Sequence, residues 1–429
     1  MEIEKDVYKT SRFFYILEAA FEYFINLLLI GAYLAKVTTT IGIPDSLTGI
    51  LTSFVSLGYF FQIIAIFLAN KKPVKRWVTV LHSINQIFFA CIYLVPLFNF
   101  SKTVKIVLFI IFLLVGHIIN NIVNAPKINW FMALVDDKKR GSFTASKEMV
   151  SLIGGMTFTF IVGSVMDSFE AAGNITGMFI FCSIGVFGLT LLHTLTLIFS
   201  KEKIEVVNKS QSPIQTVKNL IQDKKLIKVI WICCIWSIAN YATTPFYGTY
   251  QIKELGFTMT FVSILSVVYS VVRTLMSKPL GRYADKFSFV KMMKICFVIQ
   301  FFAFLVNVFT VPENGKIFYT VYYVLYAMGM AGINSGEINL IYDNVKPEQR
   351  TGALALRATF SGLAGFLTTL VVSILVENVQ ASGNKILGVN VYAQQVVSAI
   401  GVIVVLVGLI YLTVNKDLEK NKNIEQIDK

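Results

Sequence analysis

Few side chains in this 429-residue chain could do chemistry, and the most telling three lie close together. Glu18, Glu22 and Asn26 recur at i, i+4 and i+8 in an otherwise apolar stretch. A helix brings them onto one face, with Tyr15 and Tyr33 on the same side. An ionised group at membrane depth costs about 3 kcal/mol or more, so it is retained for a task. A desolvated carboxyl can take up and release a proton, or hold a cation. Arg273 is the one basic residue well inside an apolar run, and it is read as binding an anionic group or pairing with Glu18 or Glu22. His117 is a further proton-relay candidate, whereas His82 and His193, nearer the ends of their runs, are read as structural. The five cysteines form no CxxC pair or Cys/His cluster, so neither a metal nor a cofactor is expected.

The elements that must position these groups follow from composition. Hydrophobic residues make up 55% of the chain and charged ones 15%, against about 25% charged in a soluble protein. A bilayer core needs about 20 mostly apolar residues per helix. Such runs occur at 12–36, 46–69, 76–98, 104–125, 148–167, 176–199, 227–250, 259–279, 290–311, 316–341, 353–377 and 393–414. The reading is an all-α membrane protein of twelve spans: a six-helix bundle (1–199), a linker (200–226), a second six-helix bundle (227–414) and a tail (415–429). Within the linker, Pro213 to Lys225 has the pattern of an amphipathic surface helix.

The net charge of +13 would suggest nucleic acid in a soluble protein, but its distribution points elsewhere. Of the 38 Lys and Arg, 31 fall on segments that share one side and six on the other. That asymmetry places both termini in the cytoplasm, in a plasma (inner) membrane, and makes anionic lipid the partner of the basic surface. The Lys-, Ile- and Asn-rich composition suggests a bacterial source.

The two halves match each other at an offset of about 210 residues. Asn124 falls on Asn334, Arg140 on Arg350, Ser151 on Ser361 and Gly155 on Gly365. Lys127 and Glu337, repeat-related and opposite in charge, are expected to pair as a gate on the cytoplasmic side. Asn240, Tyr241, Thr244 and Tyr247 surround Pro245, whose missing N–H permits a kink. Broken polar helices of this kind are expected to bind solute, as are the asparagine-rich segments with Asn120, Asn121, Asn124 and Asn334.

GRYADKFSFVK (281–291) resembles the signature loop of the major facilitator superfamily, with Gly281, Asp285, Lys286 and Lys291 matching and Ser288 in place of a glycine. The first-half copy, FLANKKPVKR, has Asn70 where the family has Asp. The segments containing Arg140 and Arg350 resemble the family's loops after the fourth and tenth helices. This resemblance implies two bundles rocking about a central site lined by the first, fourth, seventh and tenth helices, with Asp285 and the loop lysines in gating. It implies a secondary transporter, expected to be monomeric; the asparagine- and tyrosine-rich segments suggest a small polar organic solute, and Glu18 and Glu22 suggest coupling to H⁺, with Na⁺ as the other choice. The competing reading is a drug antiporter, disfavoured because the fifth span carries Gly154 and Gly155 but no proline. A receptor or membrane enzyme is the distant alternative. No nucleotide-binding GxxxxGK[ST] or nucleophile–base set occurs.

Overall fold

The computed structural model describes residues 7–68, 73–136, 140–203, 213–345, 349–386 and 389–418. The chain is helical almost throughout because each apolar run must satisfy its backbone internally. The first span is two helices, α1 (Lys9–Leu27) and α2 (Gly31–Ile41), bent by 47°. Gly31 at the break and Gly42 after α2 both have positive φ, where a side chain would be strained. The second span is also broken, into α3 (Asp45–Thr52), α4 (Phe54–Phe60) and α5 (Ile63–Leu68). Then follow α6 (Lys75–Ile92), α7 (Lys102–Met132), α8 (Arg140–Ala171) and α9 (Ile175–Phe199).

The linker contains the expected surface-type helix, α10 (Pro213–Gln222). Asp223 then caps α11 (Lys224–Thr249), accepting from the N–H groups of Lys225 and Leu226 at 2.9 and 3.2 Å. A π-helical turn, Tyr250–Glu254, finishes that span. The rest is α12 (Met259–Lys286), α13 (Phe289–Val308), α14 (Gly315–Asn344), α15 (Arg350–Ala381) and α16 (Ala393–Val414). A short hairpin, β1 (Lys385–Ile386) with β2 (Val389–Asn390), joins the last two. Among the described residues, eight helices are long and apolar enough to cross a membrane singly, and the bent pair α1–α2 adds another. The broken α3–α5, the shorter α6 and the tyrosine-rich α14 complete the twelve spans.

Pro245 does not break α11. Proline leaves the carbonyl four residues back without its N–H partner. That carbonyl belongs to Tyr241, and the Thr369 hydroxyl on α15 donates to it at 2.8 Å. The orphaned acceptor is therefore satisfied sideways, as a lipid-embedded helix requires.

Contacts divide the chain into two units. The first gathers residues up to Pro44, Phe61 through α9, and Thr258–Ser263. Within it, Asp167 at the far end of α8 caps α12, accepting from Met259 and Thr260 N–H at 2.8 and 2.7 Å, and Tyr33 bonds Ser263 Oγ at 2.8 Å. The second unit holds Asp45–Phe60, α10 to Phe257, and Ile264 onward. There Asp45 pairs with Lys253 and accepts from Gln380 at 2.8 Å, and α4 lies directly against α15, with Ser56 donating to Gly362 O at 2.9 Å.

Candidate functional site

The first unit contains a buried ionic cluster assembled from four helices. Glu18 and Glu22, one turn apart on α1, meet His82 of α6, Lys127 of α7 and His193 of α9. At 1.5 Å per residue, Glu18 is about 14 Å from the start of α1, His82 about 11 Å from the start of α6, Lys127 about 8 Å from the end of α7 and His193 about 9 Å from the end of α9. The four helices thus deliver polar groups to one level. Below that level their ends are tied together. Tyr15 stacks on Phe131 at 4.3 Å and Phe131 on Trp130 at 4.4 Å. Glu202 accepts from Val74 and Lys75 N–H at 2.7 and 3.0 Å, and Trp130 donates to Lys201 O at 2.9 Å.

Lys127 has three ammonium protons and three acceptors. It donates to Glu18 Oε1 at 2.9 Å, to His82 Nε2 at 2.9 Å and to Glu22. His82 Nδ1 lies 2.7 Å from Asn85 Oδ1. An amide oxygen only accepts, so Nδ1 carries a proton; Nε2 faces both the Lys127 ammonium at 2.9 Å, which a lone pair would accept from, and Glu18 Oε1 at 3.1 Å, to which a second ring proton would donate. His193 Nε2 lies 3.1 Å from Glu18 Oε1, to which it donates. Among the described residues its Nδ1 has no partner, and neither does Glu18 Oε2. Asn85 extends the network, its Nδ2 reaching Asn120 Oδ1 at 3.5 Å. Glu18, His82 and His193 are fully buried, Lys127 is 3% exposed, and the Glu22 side chain is the most open member at 15%. With both imidazoles neutral, two carboxylates and one ammonium leave a formal charge of −1, screened from solvent except at the partly open Glu22. Buried charge is costly unless neutralised, so the cluster is short of one positive charge.

The ligating atoms of Glu18, His82 and His193 lie within 4.8 Å of one another, a spacing that could hold a metal ion. The Lys127 ammonium, at 2.9 Å from two of those atoms, takes the cation's place.

The second unit has its own buried ion pair, Glu337 of α14 with Arg357 of α15. It also has an aromatic wall. Tyr319, Tyr322, Tyr323 and Tyr326 repeat at i, i+3, i+4 and i+7 along α14 and so share one face. Tyr247 packs edge-on to Tyr319 and Tyr322 at 6.0 and 5.3 Å, and bonds Ser398 Oγ at 2.7 Å. Tyr326 donates to Asn240 Oδ1 at 2.6 Å and lies 5.9 Å from Tyr269 of α12.

Several expectations change on this geometry. Lys127 does not pair with Glu337: each is committed inside its own unit, Lys127 to Glu18 and Glu22, Glu337 to Arg357. Arg273 does not reach Glu18 or Glu22, because Lys127 holds both acids; its polar partner is the Tyr269 hydroxyl at 3.4 Å. His117 stands apart from the acids, packed 4.9 Å from the Phe89 ring. His82 and His193 are members of the ionic cluster, where spacing along the sequence had suggested packing roles. Gly281, Asp285 and Lys286 lie in the last turns of α12, not in a loop, and the only break before α13 is Phe287–Ser288. Ser288 caps α13, accepting from Lys291 N–H at 3.1 Å, which gives the residue replacing the expected glycine a structural task.

The remaining candidates are local. Asn121 bonds back to His117 O at 3.0 Å, and Thr244 to Asn240 O at 2.9 Å. Asn26, Asn124 and Asn334 are half-buried on α1, α7 and α14, and Tyr241 supplies the carbonyl that Thr369 satisfies. Arg350 donates to Tyr342 O at 3.1 Å and covers its ring at 4.6 Å. Asn70 and the Arg140 side chain lie outside the described residues. Arg357, Asn85 and the tyrosine face of α14 were missed in the sequence; the last carried a visible helical period.

Twelve spans with charged side chains held among them define a polytopic helical membrane protein. The chain belongs to the Major Facilitator Superfamily, whose sequence profile matches residues 15–369 and 238–427. No curated protein matches it significantly. Among solved structures it is similar to the nucleoside transporter NupG, at 15% identity and TM-score 0.67, covering 94% of this chain and 98% of that one. It is similar to a D-xylose-proton symporter at 15% identity and TM-score 0.67, covering 93% and 96%. A bacterial homologue of the human lysosomal transporter Spinster, in an inward-facing unoccupied conformation, matches at 11% identity and TM-score 0.67, covering 96% of each chain. These likenesses carry the fold.

Proposed function

We propose that this transporter moves a small polar organic solute across the plasma membrane by alternating access, driven by protons that load the Glu18–Glu22–His82–Lys127–His193 cluster. The observation that carries the reading is the charge deficit of that buried cluster. One added proton makes it neutral, and removing it restores a charge that solvent must be admitted to release. Coupling follows if solute binding and protonation favour the same conformation. Glu22, the most open member, is the entry and exit point for the proton; Glu18 with His82 and His193 is the buried store. The D-xylose-proton symporter is a structural neighbour whose name carries such coupling, consistent with this reading. The drug-antiporter alternative needs free acids to hold a lipophilic cation, and here Lys127 occupies both.

The test is uptake by proteoliposomes of a panel of sugars, nucleosides and carboxylates under separate H⁺ and Na⁺ gradients. A solute whose uptake is raised by the H⁺ gradient, with the rise lost in Glu22→Gln and Glu18→Gln, supports the assignment. Acceleration by Na⁺ alone, or an unchanged H⁺ response in both variants, overturns it.

A further inference from the structure

Arg273 sits near the midpoint of the 28-residue α12, about 20 Å from either end at 1.5 Å per residue. A guanidinium there lies inside the apolar run 259–279, and a charge within such a run is expected to have a counter-charge. Among the described residues it has none. Its contacts are the Tyr269 hydroxyl at 3.4 Å and the Tyr269 ring, 5.9 Å from the guanidinium carbon to the centroid. Nor does it snorkel to lipid. The exposed large apolar residues of α12, Ile264, Val271 and Leu275, form one stripe, and Arg273 lies on the opposite side, with Ser266 and Tyr269. Arg273 is only half-buried, so its free surface faces the protein's interior.

What lies beside it is aromatic. Tyr269 leads to Tyr326 at 5.9 Å, and Tyr326 stacks on Tyr322 at 5.3 Å with 26° between the rings. The Tyr326 hydroxyl occupies Asn240 Oδ1, which leaves the Asn240 amino group to donate elsewhere. The face thus offers one fixed cation, flat rings and an amide donor. One guanidinium neutralises one negative charge, which fits a monoanion and would leave a phosphate dianion half compensated. Flat tyrosine rings favour a flat partner.

We infer that Arg273, Tyr269, Tyr326 and Asn240 form the solute-binding face of the second unit, with Tyr322 backing Tyr326, and that its ligand is a planar aromatic or heteroaromatic monocarboxylate. This deepens the small-polar-solute reading and rests on it. The carboxylate takes the bidentate fork of Arg273, the ring lies against the tyrosines, and Asn240 donates to a ring substituent or ring nitrogen.

The experiment is calorimetric titration of the purified full chain in lipid nanodiscs, at one fixed pH. The probes are benzoate, nicotinate and indole-3-carboxylate, each beside its uncharged amide, with cyclohexanecarboxylate as the anion without a flat ring. At least one aromatic acid is expected to bind ten-fold or more tightly than both its amide and cyclohexanecarboxylate, the scale of a charged hydrogen bond. Arg273→Gln removes the preference for acid over amide, and Arg273→Lys keeps part of it. The inference is overturned if no acid binds at about 10 mM, if amides bind as well as acids, or if Arg273→Gln binds the acid unchanged. Binding at fixed pH needs no gradient, so failure of proton coupling leaves this result intact, and failure here leaves the coupling test standing.

Discussion

Replacing Lys127 by Met tests the ionic cluster where its energetics are sharpest. Methionine keeps the length and the apolar stem but removes all three donated hydrogen bonds, to Glu18, Glu22 and His82. Two carboxylates then remain in the bundle without a cation. Removing one partner of a buried ion pair costs about 3–5 kcal/mol, and here one ammonium serves two acids, so the upper end is expected. Because Glu22 is 15% exposed and can draw on solvent, most of the penalty belongs to fully buried Glu18. The double variant Lys127→Met with Glu18→Gln removes the uncompensated buried charge and should recover about 2–3 kcal/mol of the loss. Acidification should narrow the gap between Lys127→Met and wild type, since protonating the carboxyls supplies the missing neutralisation. The assay is thermal and denaturant unfolding of nanodisc-embedded protein across pH, arranged as a double-mutant cycle. A single variant as stable as wild type, or a double variant no more stable than Lys127→Met, refutes the charge argument.

Two further predictions concern the second unit. Thr369→Val should cost about 1 kcal/mol by orphaning the Tyr241 carbonyl, and adding Pro245→Ala, which restores an N–H to that carbonyl, should erase most of the cost in an unfolding cycle. Gly362→Ala should destabilise by about 1–3 kcal/mol, because a Cβ there would meet Ser56 O at 2.5 Å and Tyr59 Cβ at 2.7 Å; an unfolding midpoint equal to wild type would show that α4 and α15 are not so tightly packed.

The spans, the repeat and the acidic face of α1 can be read from the sequence because each is a property of residues close along one helix. Glu18 and Glu22 share a face whatever surrounds them. Their partners are another matter. Lys127, His82 and His193 lie on three other helices, and what unites them is a similar distance from the helix end together with lateral packing, which spacing does not encode. Lys127 was therefore matched to its repeat mate Glu337, although an ammonium at that depth takes the nearest acids, and those are on α1. Glu337 likewise takes Arg357, a residue of the next helix. The bend at Gly31 and the break at Ser53 are too short to interrupt an apolar average, so a single span was read in each case. Ser288 had been a mismatch to a glycine; only the helix beginning beside it reveals a cap.

If the buried cluster carries the coupling proton, gradient-driven uptake set against solute exchange at equal pH separates coupling from binding and movement. In Glu22→Gln proteoliposomes the account predicts that exchange of pre-loaded for external solute continues while the acceleration of net uptake by an inward H⁺ gradient disappears. Net uptake that still rises with the gradient as in wild type would contradict it.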